Sequence, residues 1–200
     1  MTPDDHLRII ELERRLLGNY RLLQALVGIR LRSVVDPESR RHLTWLSDVV
    51  AAMGLINRRA VEQGEVDFAA YLEDAIGFWR RVYLTKGIRI ELRASDGPLP
   101  EGHAVPLAII VHELLSNATR HAFPDDRRGS VAIAFSRAAD GVSLVVRDSG
   151  VGCETLESRD GLSLVEGLVT HLGGSVSFET APGSGVGVRI RLPLRPEAAH

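Results

Sequence analysis

The stretch VHELLSNATRHAF, residues 111–123, decides the fold of this chain together with three later segments, VVRDSGVG (145–152), GLSLVEGLV (161–169) and PGSGVGVRI (182–190). Glu113 and Asn117 are four residues apart, so a helix places both side chains on one face. Asp148 ends an apolar segment, and Gly150 and Gly152 after it let the backbone approach a flat ligand. Segments of this kind, in this order on alternating helix and strand, predict a nucleotide pocket.

Composition limits the classes of protein that this chain can represent. Its 200 residues are 44% hydrophobic, which is enough for a sizeable core, and the net charge of −2 argues against a nucleic-acid partner. Cys153 is the only cysteine, which excludes a disulfide framework and a cysteine zinc site. The first ten residues do not resemble a signal peptide, and no apolar run approaches the ~20 residues that span a bilayer. We therefore expect a cytoplasmic protein without a membrane partner.

Two long helices are predicted at the N-terminus. Residues 4–33 carry one apolar stripe, and a second strip lies off it. The stripe is Ile9, Leu12, Leu16, Tyr20, Leu23 and Val27, and the second strip is Leu7, Ile10 and Leu17. Asp36 and Pro37 then predict the start of a second helix that ends near Gly64. Its inward side chains are predicted to be Leu43, Leu46, Val50, Met53 and Ile56. Because two helices cannot bury both faces alone, residues 4–63 predict a dimeric four-helix bundle.

The remainder of the chain predicts a mixed α and β unit. A third helix, capped by Asp67, is expected over 68–83, with Phe68, Leu72, Ile76 and Trp79 on one face. Strands are expected at 88–92, 131–135, 142–146, 175–179 and 186–192, and helices at 104–122 and 162–172. Pro98 and Pro100 indicate a loop. The fold class is thus α+β, with a helical unit at 1–64 and a sheet-containing unit at 65–200.

The ordered motifs resemble the catalytic core of a bacterial sensor histidine kinase, in the branch with HisKA_2/HWE-type dimerisation helices. HELLSNATRHAF (112–123) resembles the N box of that family, DSGVG (148–152) its G1 box and GLSLVEGLV its G2 box. GSGVGVRIRLP (183–193) resembles the last glycine motif and strand. The resemblance implies a helical hairpin that dimerises, followed by a GHKL-type (HATPase_c) α/β sandwich.

This resemblance implies an ATP and magnesium site. Asn117 would coordinate magnesium, Glu113 would orient or polarise the attacking group, and Arg120 would lie near the phosphates. Asp148 would accept a hydrogen bond from the adenine amino group, which suits a carboxylate because it only accepts. The glycines that would shape the site are Gly150, Gly152, Gly161 and Gly185.

The chain departs from the family at the position of the phosphoryl acceptor. The family carries a pattern like H-R-x-K-N-N on its first helix, and the matching segment here is 14–19, RRLLGN. The acceptor position therefore holds Arg14, and Leu17 stands at the lysine position. An arginine stays protonated and is not a phosphoryl acceptor in this setting, so ordinary autophosphorylation at this position is not expected.

Two departures concern the pocket. The second glycine expected in the G2 box is Ser163, which leaves less room for a phosphate beside the backbone. The lid has only eight residues, CETLESRD (153–160), which is short for a segment that closes over a triphosphate. Neither His6 nor His42 is well placed to replace the acceptor, and His121 fits a structural or pocket-lining role.

Three hypotheses for function follow from the resemblance. The first is a degenerate, dimeric histidine-kinase-like regulator that docks a response-regulator receiver domain and modulates its phosphorylation. Its docking surface would contain Arg14, Arg15, Asn19 and Arg21. The second is an active ATP-dependent kinase that phosphorylates a partner or another histidine. The third, a GHKL anti-sigma-factor-type serine kinase, is disfavoured by the long N-terminal hairpin. Whether the chain is an enzyme therefore stays open.

Overall fold

The computed structural model describes residues 3–59, 64–84, 87–95, 97–125, 127–156 and 160–194, with the backbone alone for residues 3–17, 78, 82 and 160. The helices are α1 (Pro3–Ser33), α2 (Pro37–Arg58), α3 (Phe68–Leu84), α4 (Glu101–Asn117) and α5 (Asp160–His171). The strands are β1 (Glu65–Asp67), β2 (Ile88–Ala94), β3 (Pro98–Pro100), β4 (Gly129–Arg137), β5 (Gly141–Asp148), β6 (Ser175–Thr180) and β7 (Val186–Pro193). The fold class is α+β, as predicted.

Helices α1 and α2 lie antiparallel over their described contacts. The Asn57 side chain on α2 donates to the Tyr20 hydroxyl on α1 at 3.3 Å, and Arg40 donates to the Leu31 carbonyl at 3.3 Å near the turn. Asp36 caps α2, as predicted, because its carboxylate accepts from the Ser39 amide at 2.7 Å. This bond also holds the pKa of Asp36 below its usual value.

The second helix differs from its prediction in its end and in its buried face. It ends at Arg58 instead of Gly64, because the Arg59 amide turns back to the Ile56 carbonyl at 2.9 Å. The residues it buries are Val49, Val50, Ala52 and Ile56, and α2 contacts α3 and α4 as well as α1. Leu46, predicted to face inward, is 41% exposed. The helical segment therefore packs on the sheet-containing part of the chain.

The main sheet has five strands in the order β2-β4-β5-β7-β6. Strands β4 and β5 pair antiparallel around the predicted turn at Asp140 and Gly141, and β2 and β4 form the parallel pair. A second sheet pairs β1 with β3 and sets Val66 opposite Leu99. The prediction of a loop at Pro98 and Pro100 is therefore wrong, since this segment is a short strand.

The core joins helices α3, α4 and α5 to alternate residues of the strands. The predicted face of α3 is confirmed, because Phe68, Leu72, Ile76 and Trp79 are all buried. Along β5, Val142, Leu144 and Val146 are buried in alternation, and Asp148 continues this pattern to the end of the strand. The alternation places a carboxylate at the edge of an apolar core.

Replacing Asp67 with alanine is expected to lower the free energy of unfolding by about 1 kcal/mol, because the Asp67 carboxylate accepts from the Ala70 amide at 3.0 Å and caps α3. An Asp67→Ser variant should retain most of the stability, because serine also accepts at this position. Urea unfolding of the two variants measures the difference. Equal losses in both would show that the cap does not stabilise α3.

Candidate functional site

The helix that carries the first motif ends in an irregular turn. Helix α4 stops at Asn117, and residues Ala118–Ala122 continue as a single π-helical turn. The prediction of a helix at 104–122 is therefore wrong at its start, which is Glu101, and in its last turn, which is π-helical. Turns of this kind are frequent at functional sites because they re-aim the side chains that they carry. Here the turn carries Arg120 and His121.

Glu113, Asn117 and Arg120 form one polar cluster beside this turn. The Arg120 guanidinium donates to Asn117 Oδ1 at 2.8 Å and to Glu113 Oε1 at 3.4 Å through the same nitrogen. The whole Glu113 residue is only 3% exposed, so its carboxylate lies among apolar groups with Arg120 as its cation. The predicted one-turn spacing of Glu113 and Asn117 thus places both side chains against one guanidinium.

Asp148 lies across the site from this cluster. Its Oδ1 atom accepts from the Gly150 amide at 2.8 Å and from the Val186 amide at 3.2 Å. Both bonds go to the same oxygen, which leaves Oδ2 without a donor among the described residues. Burial raises the pKa of Asp148 above its usual value, and the two backbone bonds oppose that rise.

The four predicted glycines are close to other groups of the site. A Cβ atom at Gly150 would overlap the Ala122 carbonyl oxygen, and one at Gly161 would overlap Glu113 Oε1. Gly152 and Gly185 have φ angles of 58° and 71°, and a Cβ atom there would overlap the carbonyl oxygens of Ala181 and Asp148. Only glycine combines this backbone conformation with such close approach.

A cavity of about 440 Å³ lies beside these groups, and Glu113, Arg120, Gly150 and Gly185 are next to its lining without being part of it. Its apolar lining consists of Leu114, Ala118, Ala122, Val146, Leu156, Leu162, Val186 and Val188. Asn117, Asp148, Gly152 and Gly161 contribute to its lining, as does His121, for which a pocket-lining role was predicted. The arrangement has the composition of a ligand site, namely apolar walls with a few polar groups.

Sequence reasoning missed the cavity residues that follow the G1-type motif. Cys153 and Thr155 line the cavity, and the Cys153 amide donates to the Thr180 hydroxyl at 3.1 Å. Their position in the sequence could have predicted this role, because residues that directly follow Gly152 lie close to the cavity that Gly152 lines. Residues 157–159 of the predicted lid lie outside the described residues. Ser163 is exposed in the first turn of α5, one residue beyond Leu162.

The residues predicted for docking a receiver domain lie on α1. The side chains of Arg14 and Arg15 are outside the described residues. Asn19 is exposed on the same helix, and Arg21 is exposed at the rim of a second cavity beside α2. Of this group, Asn19 and Arg21 therefore lie apart from the lining of the cavity around Asp148.

The described residues contain no group of three or more histidine, cysteine, aspartate or glutamate side chains that could hold a metal ion. None of their helices combines the length and the apolar character needed to cross a membrane.

Replacing Arg120 with methionine is expected to lower the free energy of unfolding by about 1 kcal/mol, because buried Glu113 loses its cation while solvent screening limits the effect. We also expect ATP-magnesium affinity to fall about tenfold, since the variant has no guanidinium for the phosphates. Denaturant unfolding and calorimetric titration measure the two effects. The matched control is Arg89→Met, at an exposed residue of β2, and a loss as large there would contradict the prediction.

Comparisons with known proteins agree with this geometry. The family described as histidine kinase-, DNA gyrase B-, and HSP90-like ATPase matches residues 102–196. Sensor histidine kinase PdtaS of Mycobacterium tuberculosis is 29% identical over 93% of this chain and 39% of its own length. Blue-light-activated histidine kinase 1 of Erythrobacter litoralis is 26% identical over 94% of this chain and 53% of its own length. The chain thus spans about half or less of these curated relatives.

Solved structures show the same fold. The histidine kinase domain from Erythrobacter litoralis EL346 blue-light activated histidine kinase has a TM-score of 0.68 and 22% identity, over 87% of this chain and 96% of that chain. Residues 102–196 therefore match the family of histidine kinase-, DNA gyrase B-, and HSP90-like ATPases, and the sheet and helices described above share the fold of this solved domain.

Proposed function

We propose that this chain is a degenerate, histidine-kinase-like signalling protein of a two-component system. In this proposal it binds ATP with magnesium and modulates the phosphorylation of a response-regulator receiver domain. The observation that carries the nucleotide part is Asp148, whose Oδ1 is fixed by two backbone amides at the edge of a cavity of about 440 Å³. The receiver part rests on the family resemblance of the N-terminal helices.

The cavity suits an adenine ring in shape and in hydrogen bonding. Asp148 Oδ2 is available to accept from an exocyclic amine, and a carboxylate gives an amine only acceptors. Val146, Val188 and Leu114 supply apolar surface for the flat ring. Close packing at Gly152 and Gly185 holds the surrounding backbone in place.

The donor set beside the cavity suits a magnesium ion carried by the nucleotide. Asn117 Oδ1 and the Glu113 carboxylate are hard oxygen donors of the kind that magnesium prefers. Arg120 adds a cation that can pair with phosphate oxygens. When bound, magnesium would neutralise phosphate charge. Asn117 would hold the ion, and Glu113 would orient the attacking group.

The proposal includes a homodimer formed by α1 and α2. The described part of α1 exposes four apolar side chains, Leu22, Leu23, Leu26 and Ile29, which are between 47% and 59% exposed among the described residues. Helix α2 adds Leu46, which is 41% exposed. A second copy that packs on this surface would complete a four-helix bundle.

The degenerate character of the proposed regulator rests on Arg14 at the acceptor position. A guanidinium there can pair with the aspartyl phosphate of a docked receiver, but it lacks the imidazole nitrogen that accepts the phosphoryl group in the family. Arg15, Asn19 and Arg21 would extend the docking surface along α1.

Removing the Arg14 side chain tests this proposal. Receiver domains from the source organism, phosphorylated with acetyl phosphate, would be mixed with the chain, and loss of aspartyl phosphate would be followed. Arg14→Ala should slow that loss or weaken receiver binding about tenfold, while Arg191→Ala, at an exposed position of β7, should behave as wild type. Wild-type behaviour of Arg14→Ala would refute the proposed role of this arginine.

An active kinase is the second candidate, and the intact Glu113, Asn117 and Arg120 cluster favours it. In this case labelled ATP should mark another histidine or a partner protein. Arg14→His, which places an acceptor at the family position, should also become labelled. Absence of label on the wild type, on partner receivers and on Arg14→His would exclude this candidate.

A further inference from the structure

A second cavity, of about 450 Å³, lies between the helical segment and the ATPase fold. Helices α1 and α2 form one wall, and α3 and α4 form the other. Its main lining residues are Tyr20, Arg21, Asp48, Arg58, Trp79 and His112. It lies on the opposite side of α4 from the cavity around Asp148, because Val111 and His112 line the former while Leu114 and Asn117 line the latter.

The floor of this second cavity is aromatic. The Trp79 and His112 rings lie 5.2 Å apart at an angle of 48°, and both residues are less than 9% exposed. Tyr71, also buried, adds a third ring to the lining. Ring surfaces held in this way offer a flat group an area for stacking or edge contact.

The rim of the second cavity is cationic. Arg21 and Arg58 are exposed, and neither makes an ion pair with a described residue. Arg59, next to Arg58, is different because it pairs with Asp74 at 2.8 Å. Two guanidinium groups at one opening, neither of them in an ion pair with a described residue, favour an anion with oxygen acceptors.

The one carboxylate of the cavity already has a neighbour. Asp48 Oδ2 lies 3.5 Å from His112 Nε2, and this contact joins α2 to α4. Burial lowers the pKa of His112 to about 4 and raises that of Asp48 to about 6, so at neutral pH the ring is neutral and the carboxylate is charged. The two arginines therefore leave the lining with an excess of positive charge.

We propose that this second cavity binds a small planar aromatic or heteroaromatic anion. The ring would lie against Trp79 and His112, and the acidic group would pair with Arg21 and Arg58. A ligand there would contact all four helices and stabilise the packing of the helical segment on the ATPase fold. This proposal does not require ATP binding at Asp148.

The probe for this test is 1-anilinonaphthalene-8-sulfonate, an anion with a planar naphthalene ring and a sulfonate group, titrated into the full chain by fluorescence. Wild type should bind the probe saturably, with one site per chain. An Arg21→Gln/Arg58→Gln double variant should bind it at least tenfold more weakly.

Two further variants make the outcome decisive. Arg32→Gln/Arg41→Gln removes two exposed arginines that do not line the cavity and should leave probe affinity unchanged. Ala51→Trp fills the cavity from α2 and should abolish binding, with cooperative thermal unfolding as the check that it has folded. Equal affinity in the two double variants overturns the proposal, and so does wild-type binding by folded Ala51→Trp. If Ala51→Trp does not fold, the comparison of the double variants decides.

Discussion

Replacing Asp148 with asparagine is expected to weaken ATP-magnesium binding about 100-fold or more, as measured by calorimetric titration. The amide has one acceptor, and the amides of Gly150 and Val186 already require it. The remaining NH₂ group would then face the adenine amino group, so two donors would meet. The buried position increases the loss, because water cannot easily replace the missing acceptor.

Two controls test whether the loss of affinity is specific to Asp148 and to the adenine base. Asp140→Asn changes an exposed carboxylate in the β4–β5 turn and should bind ATP as wild type does. GTP should bind poorly to the wild type, because guanine presents an oxygen acceptor where adenine presents an amine. Equal affinity of wild type and Asp148→Asn for ATP would show that this carboxylate does not recognise the base, and the proposed nucleotide site would fail.

Replacing Gly185 with alanine is expected to lower the free energy of unfolding by about 3 kcal/mol or more and to abolish nucleotide binding. Its φ angle of 71° disfavours any side chain, and a Cβ atom would overlap the Asp148 carbonyl oxygen. The same Cβ atom would lie 2.9 Å from Asp148 Oδ1. The backbone at the end of β5 would therefore have to move, and Asp148 would move with it.

Gly183 offers a matched control two residues earlier. Its φ angle is 79°, yet a Cβ atom there would have no neighbour within 4 Å. Gly183→Ala should therefore show only the cost of the backbone conformation, about 1 kcal/mol, and should keep its affinity for ATP. The difference between the free energies of unfolding of the two variants, measured in urea, gives the cost of the overlap at Gly185. Similar losses in the two would show that close approach to Asp148 is not a constraint.

Local patterns in the sequence predicted the elements whose structure depends on near neighbours. Asp36 and Asp67 were recognised as caps because a cap is formed with the next few residues. The face of α3 and the alternation in β5 follow from periodicity alone. Glu113, Asn117 and Arg120 also lie within two turns, so their spacing contained the signal for their common cluster.

Long-range contacts explain what the sequence did not predict. The strand at Pro98–Pro100 pairs with Glu65–Asp67, and prolines normally argue against a strand. The bond from the Val186 amide to Asp148 depends on the register between β5 and β7, which no local pattern specifies. Burial of the α2 face against α4 likewise requires knowledge of how distant elements pack.

The one parallel strand pair has a consequence for the order of folding. Strands β4 and β5 pair through a short hairpin, as do β6 and β7, so these contacts close small loops. The parallel pair of β2 with β4 instead requires the chain to cross over through α4 before Ile88 meets Gly129. Strands β5 and β7 also pair across a long segment, which contains α5. Because closure of long loops slows folding, we expect the two hairpins to form first and α4, with Glu113 and Asn117, to dock later. Refolding followed by nucleotide binding should then lag behind formation of the hairpins.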